Sequence, residues 1–338
     1  MKTIGLDISD NRTHLCMLDD DGTVVFAQTL PTTVPSVHKY FCELEPCRVV
    51  LEVGPHSRWM SFTISQLGHE VIVANPAKIP TIARAKNKSD ARDAQHLAQL
   101  GRVDPRLLCP VDHRSEAAHA DLMVIRARAL VVGQRTAVIN HLRGVLKAAG
   151  VKVPTKTTPT RLPDVVAELV PPMLLPAVQP LLTLLLQLKE HLRGYDKAIT
   201  QLAESLYPQT RRLTSITGVG DVTALAFVLT IERPERFNSP RDVAAYLGLT
   251  PARSQSGALD PRLGITKAGD RLVRTLLVNC AQYILGPFGQ ESRLRAWGLE
   301  LAARSGSKKK AAVAVARKLS VIMLALWRTQ QDFIPAGC

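Results

Sequence analysis

Two aspartates three residues apart open a predicted helix in the segment KNKSDARDAQHLAQL, which spans residues 86–100. Residues at this spacing share one helix face, with Cβ atoms about 5–6 Å apart, so the carboxylates of Asp90 and Asp93 would repel each other. Ser89 can cap the helix, and acidic side chains suit the positive end of a helix dipole, so the pair could simply stabilise the helix start. A divalent metal could also hold the two carboxylates together. The choice depends on whether other carboxylates point to the same place.

Two further carboxylates stand at strand positions earlier in the chain. Asp7 interrupts the apolar run KTIGLDIS, and Glu52 stands near the end of VVLEVG. A charged side chain in an apolar strand is costly unless it is paired or bound to a metal. Separately, Asp7 could be a strand-end carboxylate held by a backbone amide, and Glu52 an exposed residue before a glycine turn. Together with Asp90 and Asp93 they favour a metal site.

The donor set of this site indicates the metal and its chemistry. Oxygen ligands without a nearby cysteine favour Mg²⁺ or Mn²⁺ over zinc. A metal held in this way can activate an oxygen nucleophile and stabilise the leaving oxygen of a phosphodiester. The four carboxylates therefore predict phosphodiester chemistry.

The elements that must position these residues occupy residues 1–110. Three strand-like runs separated by the turn signals DNRT and DDDG predict an antiparallel meander. A helix near 33–45, the strand CRVVLEVG, a helix near 57–67 and the strand HEVIVAN follow. A helix from Pro76, a basic loop and the helix beginning at Ser89 complete this α/β part. This is the element order of the ribonuclease H-like fold, in which the first strand, the end of the fourth strand and a late helix converge.

Composition indicates the class of partner. The 338 residues carry a formal net charge of +14 and 46% hydrophobic residues. A basic chain of this kind favours nucleic acid, although ribosome association or membrane-surface binding would also fit. An aspartate inside the first apolar run argues against a signal peptide, and LVPPMLLPAV is too short and too broken by proline to span a bilayer. We expect a cytosolic protein.

A basic helix is predicted within residues 111–152. The stretch from Leu122 to Lys152 contains no acidic residue. Phosphate contacts dominate nucleic-acid affinity, so this helix could bind a nucleic-acid backbone, or it could simply be a solvated face. Its basic residues are Arg126, Arg128, Arg135, Arg143, Lys147 and Lys152.

A proline-rich linker and a coiled coil are predicted for residues 153–210. Apolar residues alternate there at spacings of four and three, which is the pattern of a coiled-coil seam. The seam could associate with a second copy, or it could pack in an intramolecular helical hairpin. It consists of Leu181, Leu185, Leu188, Leu192, Tyr195, Ile199, Leu202 and Leu206.

The C-terminal part, residues 211–338, is predicted to be mainly helical. Gly218 and Gly220 form a tight turn between apolar helical stretches, which is similar to a helix-hairpin-helix element whose amides could hold a phosphate, or to an ordinary turn. Ser254 and Ser256 stand in a glycine-containing loop and could be turn residues, phosphate contacts or a nucleophile. The loop is flanked by Arg253, Arg262, Lys267, Arg271 and Arg274.

Taken together, these motifs closely resemble the DEDD-type insertion-sequence transposases, the family numbered 110 with its 1111 subgroup. The matching stretches cover both ends of the chain and follow the family's order. They are GLDIS, LEVG, KSDARDAQHLA, QRTAVINHLRGVLKAAG, LTSITGVGDVTALAFV, AAYLGLTPARSQSGALDPRLGITKAGDRLVRTLL and KKKAAVAVARKLSVIMLAL. The stretch SGALDPRLG lacks the second glycine and basic residue often found after the family's Ser-Gly step.

The resemblance implies specific roles for the candidate residues. Asp7, Glu52, Asp90 and Asp93 would be the acidic residues of a RuvC-like domain. Ser256 would be the nucleophile, with Ser254 as the alternative, and would form a covalent phosphoserine link with DNA. Family members also use a structured RNA encoded by the element, and they act as oligomers with composite sites.

Two other classes of protein remain as alternatives. A Holliday-junction resolvase would use the carboxylates to activate water, but it would not need the long part from Arg211 onward. A non-catalytic nucleic-acid-binding protein could lose the carboxylates, yet all four are present.

Overall fold

The computed structural model describes residues 1–76, 79, 89–254 and 263–335. The chain divides into two compact units, Met1–His113 and Arg114–Cys338. The further divisions predicted at residues 152 and 210 fall inside the second unit and remain predictions. The helix expected from Pro76 and the basic loop before Ser89 lie largely outside the described residues.

A five-stranded mixed sheet forms the centre of the first unit, in the order β3-β2-β1-β4-β5. Strands β1 to β3 pair antiparallel, whereas β4 pairs parallel with both β1 and β5. This confirms the α/β character predicted for the N-terminal part, with three antiparallel strands followed by alternating helices and strands. The strands are β1 (Thr3–Ile8), β2 (Arg12–Leu18), β3 (Val24–Pro31), β4 (Arg48–Glu52) and β5 (Glu70–Ala74).

Helices cover both faces of this sheet. Helices α1 (Val34–Cys42) and α2 (Ser57–Gln66) share a hydrophobic core with Ile4 and Leu6 of β1. Helix α3 (Asp90–Val103) packs through Ala94 and Ala98 with Cys16 and Leu18 of β2. Because side chains alternate along a strand, Gly5 and Asp7 of β1 face the side opposite Ile4 and Leu6.

Glycine allows α3 to lie directly on β1. A Cβ atom at Gly5 would stand 1.9 Å from the Ala94 carbonyl oxygen and 2.6 Å from the Ala98 backbone nitrogen. Real Cβ atoms do not approach backbone this closely, so any side chain at position 5 would push the helix away. The same contact determines how near the start of α3 lies to Asp7.

The second unit is mainly helical, as predicted. Its most buried element is α8, in which every residue from Thr223 to Ile231 is buried. This helix shares one core with the last three long helices of the chain. The helices are α4 (Glu116–Ala148), α5 (Leu162–Leu169), α6 (Leu175–Ser205), α7 (Thr210–Thr214), α8 (Asp221–Ile231), α9 (Asp242–Tyr246), α10 (Arg271–Leu285), α11 (Arg293–Ser305) and α12 (Lys308–Thr329).

All but the last residue of the predicted coiled-coil seam lie on α6, and four of its eight residues are buried: Leu185, Leu188, Leu192 and Ile199. Leu142 and Leu146 near the end of α4 share a cluster with Leu185 near the start of α6. Leu122 near the start of α4 shares another cluster with Ile199 near the end of α6. The two helices therefore pair antiparallel as an intramolecular hairpin, which is the alternative reading of the heptad pattern. Association between copies remains a prediction.

Segment 172–205 is also long and apolar enough to cross a membrane by length and composition. Core helices of soluble proteins pass the same test. Leu185 and Leu188 of this segment are buried, and charged residues of both signs interrupt it from Lys189 onward. Of its most apolar window 22% is buried, and the buried residues include the stripe that packs against the end of α4.

We predict that Gly5→Ala lowers the free energy of unfolding by about 1–3 kcal/mol, the usual cost of overpacking a closely packed site. The lost stability reflects displacement of α3 from β1, and urea denaturation measures it. Gly54→Ala is the matched control, because a Cβ atom there would meet nothing within 4 Å. Equal stability of the two variants would contradict the close contact.

Candidate functional site

Three of the predicted carboxylates share one electrostatic site at the end of β1. Burial raises the pKa of Asp7, and the negative charges of Asp90 and Asp93 raise it further. Asp90 and Asp93 stand in the first turn of α3, where the helix dipole favours them. The structure therefore brings these three side chains near enough for the charges of Asp90 and Asp93 to act on Asp7.

The Ser89 side chain does not cap this helix, contrary to expectation. Ser89 occupies the N-cap position, but its hydroxyl makes no capping hydrogen bond. Its carbonyl oxygen instead accepts hydrogen bonds from the backbone nitrogens of Arg92 and Asp93, at 2.8 and 3.0 Å. The acidic first turn is thus held by main-chain contacts.

Glu52 ends the neighbouring parallel strand. Leu6 of β1 pairs with Leu51 of β4, so Asp7 and Glu52 are the next residues of two adjacent strands. Glu52 is half-buried, and its Oε1 atom is buried. The sheet register therefore places the fourth predicted carboxylate at the same edge as Asp7.

His14 is a member of this site that sequence reasoning missed. It lies directly opposite Asp7 in β2, and its Nε2 atom is 3.4 Å from Asp90 Oδ2. His14 also lowers the pKa of Asp7, against the larger effects that raise it. The available signal was cross-strand register, because His14 follows the DNRT turn at the position that a tight hairpin pairs with Asp7.

A second histidine–aspartate pair lies just beyond the ends of β1 and β4. His56 Nε2 is 3.0 Å from Asp10 Oδ1, and Trp59 donates its indole N–H to His56 Nδ1 at 3.1 Å. Because Nδ1 accepts, the neutral imidazole carries its proton on Nε2 and donates it to Asp10. Sequence reasoning missed this pair because Asp10 and His56 are far apart in the chain.

The negative charge of the clustered carboxylates suits a divalent cation. Among the described residues, no three His, Cys, Asp or Glu side chains form a single coordination sphere. However, a half-buried carboxyl with two like charges beside it is destabilised when ionised, and a bound cation would relieve that repulsion. Carboxylate oxygens are the ligands that Mg²⁺ and Mn²⁺ prefer.

We predict that Asp7→Asn stabilises the protein against heat at neutral pH when divalent ions are chelated. The folded-state pKa of Asp7 is raised, so its ionised form costs stability above that pKa. The gain should disappear as pH falls below 3.8, the usual aspartate value, because Asp7 is then protonated in both states. Thermal unfolding at several pH values measures it.

The control for Asp7→Asn is Asp21→Asn, which makes the same charge change at an exposed position in the turn between β2 and β3. Asp21→Asn should leave the unfolding temperature nearly unchanged. A loss of stability in Asp7→Asn at neutral pH would show that Asp7 is not under electrostatic strain.

The positive charge of the chain lies in the second unit. Residues 1–113 hold 12 Lys and Arg against 13 Asp and Glu, whereas residues 114–338 hold 31 against 16. The first unit, with the carboxylates, is therefore close to neutral. Attraction of a polyanion depends on the second unit.

Two arginines of the basic helix α4 are paired within the chain. Arg126 Nη2 donates to Asp270 Oδ2 at 3.0 Å, and Arg128 Nε donates to Asp196 Oδ1 at 2.6 Å. The stretch has no acidic residue of its own. The acidic partners of these two arginines come from α6 and from the N-cap of α10. Arg135 is half-buried, so the predicted phosphate-binding face is smaller than the sequence indicates.

The end of α4 keeps an accessible basic cavity. Arg143, Lys147 and Lys152 line a cavity of about 470 Å³, although Arg143 also donates to the Thr157 carbonyl at 3.2 Å. Lys147 and Lys152 are exposed. This is the part of the predicted basic surface that remains available to a phosphate.

The glycine turn precedes α8. Gly218 has a φ of 97°, which favours glycine, and Gly220 is the N-cap of α8. Asp221 follows in the first turn and accepts a hydrogen bond from Thr200 at 2.9 Å. The positive helix end therefore already has a carboxylate, which weakens the expectation that backbone amides there hold a phosphate.

The residues on either side of the serine segment, 250–252 and 264–266, are hydrogen-bonded to each other and form the base of that segment. Ser256 and Arg262 lie outside the described residues, whereas Ser254 is described and exposed. Pro251 and Ile265 form an antiparallel bridge. On either side of it, the Ala252 nitrogen donates to the Gly264 carbonyl at 2.8 Å and the Thr266 nitrogen donates to the Thr250 carbonyl at 2.9 Å.

Two glycines bring the flanks of this base together. Gly248 and Gly269 have φ values of 68° and 72°. A Cβ atom at Gly248 would stand 2.2 Å from the Ala268 carbonyl oxygen, and one at Gly269 would stand 2.0 Å from the Tyr246 carbonyl oxygen. Only glycine fits both the conformation and the space.

Arg274 and Asp270 hold the base in place. Arg274 Nη1 donates to the carbonyls of Leu247 and Ala268, at 3.0 and 2.8 Å, so one guanidinium joins both flanks. Asp270 caps α10 through the Val273 nitrogen at 3.0 Å and pairs with Arg126. Arg126 and Arg274, expected to contact nucleic acid, thus make structural contacts, whereas Arg253, Lys267 and Arg271 are exposed.

We predict that Arg274→Met lowers the free energy of unfolding by about 1.5–3 kcal/mol, because two carbonyls lose a charged donor. Urea denaturation measures the change. Arg271→Met is the matched control, since Arg271 is exposed one turn earlier on the same helix and should cost little. Similar losses in both variants would show that Arg274 does not brace the loop.

Comparison with known proteins establishes the family. Residues 4–150 match the DEDD transposase family of the IS110 type, and residues 210–295 match the IS116/IS110/IS902 transposase family. The transposase for insertion sequence element IS1111A of Coxiella burnetii is 27% identical over 344 residues, covering 98% of this chain and 91% of the relative. A probable family 20 transposase of Pseudomonas aeruginosa is 27% identical over 345 residues, 99% of each chain.

A third relative extends this agreement at higher identity. A putative transposase of Sinorhizobium fredii is 31% identical over 304 residues, 87% of this chain and 76% of the relative. The matches include the segments that hold the carboxylates and the glycine turn. The chain therefore belongs to the IS110 family of insertion-sequence transposases, enzymes that catalyse DNA transposition.

Proposed function

We propose that this transposase cuts and rejoins DNA with Ser256 as nucleophile and a divalent metal, Mg²⁺ or Mn²⁺, held by Asp7, Glu52, Asp90 and Asp93. The observation that carries the proposal is the half-buried Asp7 carboxyl, whose pKa is raised by burial and by Asp90 and Asp93. These carboxylates repel one another, yet the fold holds them close together. A bound divalent cation would neutralise that repulsion and would serve the DNA chemistry of an IS110-family enzyme.

The serine reaction proceeds by exchange at phosphorus. The Ser256 hydroxyl oxygen attacks a DNA phosphodiester, a phosphorus–oxygen bond to deoxyribose breaks, and the serine proton is taken up on the released deoxyribose oxygen. A deoxyribose hydroxyl of another strand then attacks the phosphoserine and restores the serine. The bound metal would stabilise the negative charge that develops on the phosphate oxygens.

The protein's own residues prepare each part of this chemistry. Pro251 and Ile265 bridge the two described flanks of the serine segment, and fixed flanks would favour correct orientation of the nucleophile. Arg253 is exposed beside the serines and can meet a phosphate. In the first unit, His14 lies against Asp90 and can orient that carboxylate.

Further partners follow from the family and from the basic second unit. We propose that an element-encoded structured RNA guides the enzyme, and that the enzyme works in the bacterial cytosol, near the nucleoid, as a homo-oligomer, either a dimer or a tetramer. The 31 basic residues against 16 acidic ones in residues 114–338 support binding of a polyanion. Light scattering of the purified protein would give the oligomeric state.

We predict that Ser256→Ala abolishes the covalent protein–DNA adduct on a denaturing gel, because the attacking oxygen is removed. Ser254→Ala, two residues earlier in the same segment, is the matched variant and should still form the adduct. Both variants should keep nucleic-acid affinity, measured by gel shift.

An adduct from Ser256→Ala, with none from Ser254→Ala, would assign the nucleophile to Ser254. Adducts from both variants would place the nucleophile elsewhere in the chain. Asp7→Asn should also yield no adduct while keeping DNA affinity, and a fully active Asp7→Asn would remove the metal site from the mechanism.

A further inference from the structure

A cleft of about 450 Å³ opens between the glycine turn and α10. Gly218 and Gly220 form one wall, while Asn279 and Tyr283 stand on the other. We call it the glycine cleft. It lies in the second unit.

The tyrosine ring lies against the glycine turn. A Cβ atom at Gly218 would stand 2.9 Å from Tyr283 Cδ1, so the missing side chain leaves room for the ring. Tyr283 nevertheless remains 46% exposed, and Asn279 one turn earlier is also exposed. The cleft thus offers an aromatic surface and a carboxamide, which can both donate and accept hydrogen bonds.

A braced loop carries a second exposed aromatic residue at the end of α10. Phe288 is 78% exposed. Arg295 Nη1 donates to the carbonyls of Ile284 and Gly286 at 2.6 and 2.7 Å, and Thr217 of the glycine turn donates to Gln290. The loop and the turn are therefore tied together, and Phe288 is presented from a supported backbone.

One exposed basic side chain stands on the same helix as Asn279 and Tyr283. Helix α10 contains no acidic residue, and Arg271 stands exposed at its start, two turns before Asn279 on the same face. Asp221, at the start of α8, already accepts a hydrogen bond from Thr200. Single-stranded nucleic acid is bound by aromatic rings that stack on bases together with basic side chains that contact the backbone.

We propose that the glycine cleft binds an unpaired base of single-stranded DNA. The Tyr283 ring stacks on the base, and the Asn279 carboxamide hydrogen-bonds to its edge. Phe288 stacks on a neighbouring base, and Arg271 contacts the backbone phosphate. This inference rests on the proposed function, because strand cutting and exchange expose unpaired bases near the enzyme.

Fluorescence anisotropy with the full-length protein tests the proposal. The probe is a mixed-sequence single-stranded DNA of about 20 nucleotides, longer than a typical single-strand site. Tyr283→Leu and Phe288→Ser should each weaken binding about tenfold, the loss expected when one base–aromatic stack is removed. Tyr283→Phe keeps the ring and should bind like the wild type.

Salt dependence separates stacking from phosphate contact. Tyr283→Leu should leave the slope of affinity against salt concentration unchanged, whereas Arg271→Ala should reduce it. Leu299→Ser, which removes an exposed apolar side chain from α11, is the control and should not change affinity. On a probe of the same length that is abasic throughout, the wild type should bind at least as weakly as a Tyr283→Leu, Phe288→Ser double variant binds the normal probe.

Unchanged affinity of both aromatic variants, alongside wild-type binding and adduct formation, would overturn the cleft proposal alone. A wild type that bound no DNA and formed no adduct would overturn the proposed function as well. Tighter binding of the matching RNA than of the DNA, with the same losses in the variants, would overturn the assignment to DNA.

Discussion

The close contact between α3 and β1 at Gly5 is the constraint on which the acidic site depends. Backbone atoms of Ala94 and Ala98 occupy the space that any side chain at Gly5 would need. The contact brings the first turn of α3 to the end of β1, where Asp7 stands. On the opposite face, Ile4 and Leu6 join the core with α1 and α2, so β1 is fixed from both sides.

Packing energy in this unit holds like charges together. Burial and the charges of Asp90 and Asp93 raise the pKa of Asp7, and among the side chains in the described part of the chain His14 opposes them. Such an arrangement costs stability unless a cation binds, and strain of this kind is typical of functional sites. The buried strands and the α3 contact supply the stabilisation that allows it.

The second unit separates its basic residues into two groups. Arg126, Arg128 and Arg274 bind acids or carbonyls of the same chain, and they hold α4, α6 and the base of the serine segment in place. Residues such as Lys147 and Arg271 remain exposed. A basic residue in the sequence is therefore a structural donor or a phosphate contact depending on what the fold places beside it.

The sequence by itself determined the elements, because alternation, turn residues and helical spacing are local properties. The three antiparallel strands, the strand positions of Asp7 and Glu52, and the acidic first turn of α3 were readable in this way. Tertiary structure alone decided that the seam of α6 packs against α4, that His14 meets Asp90, that His56 meets Asp10, and that Arg126 pairs with Asp270. These contacts join residues far apart in the chain, so they depend on packing and register, which no local pattern contains.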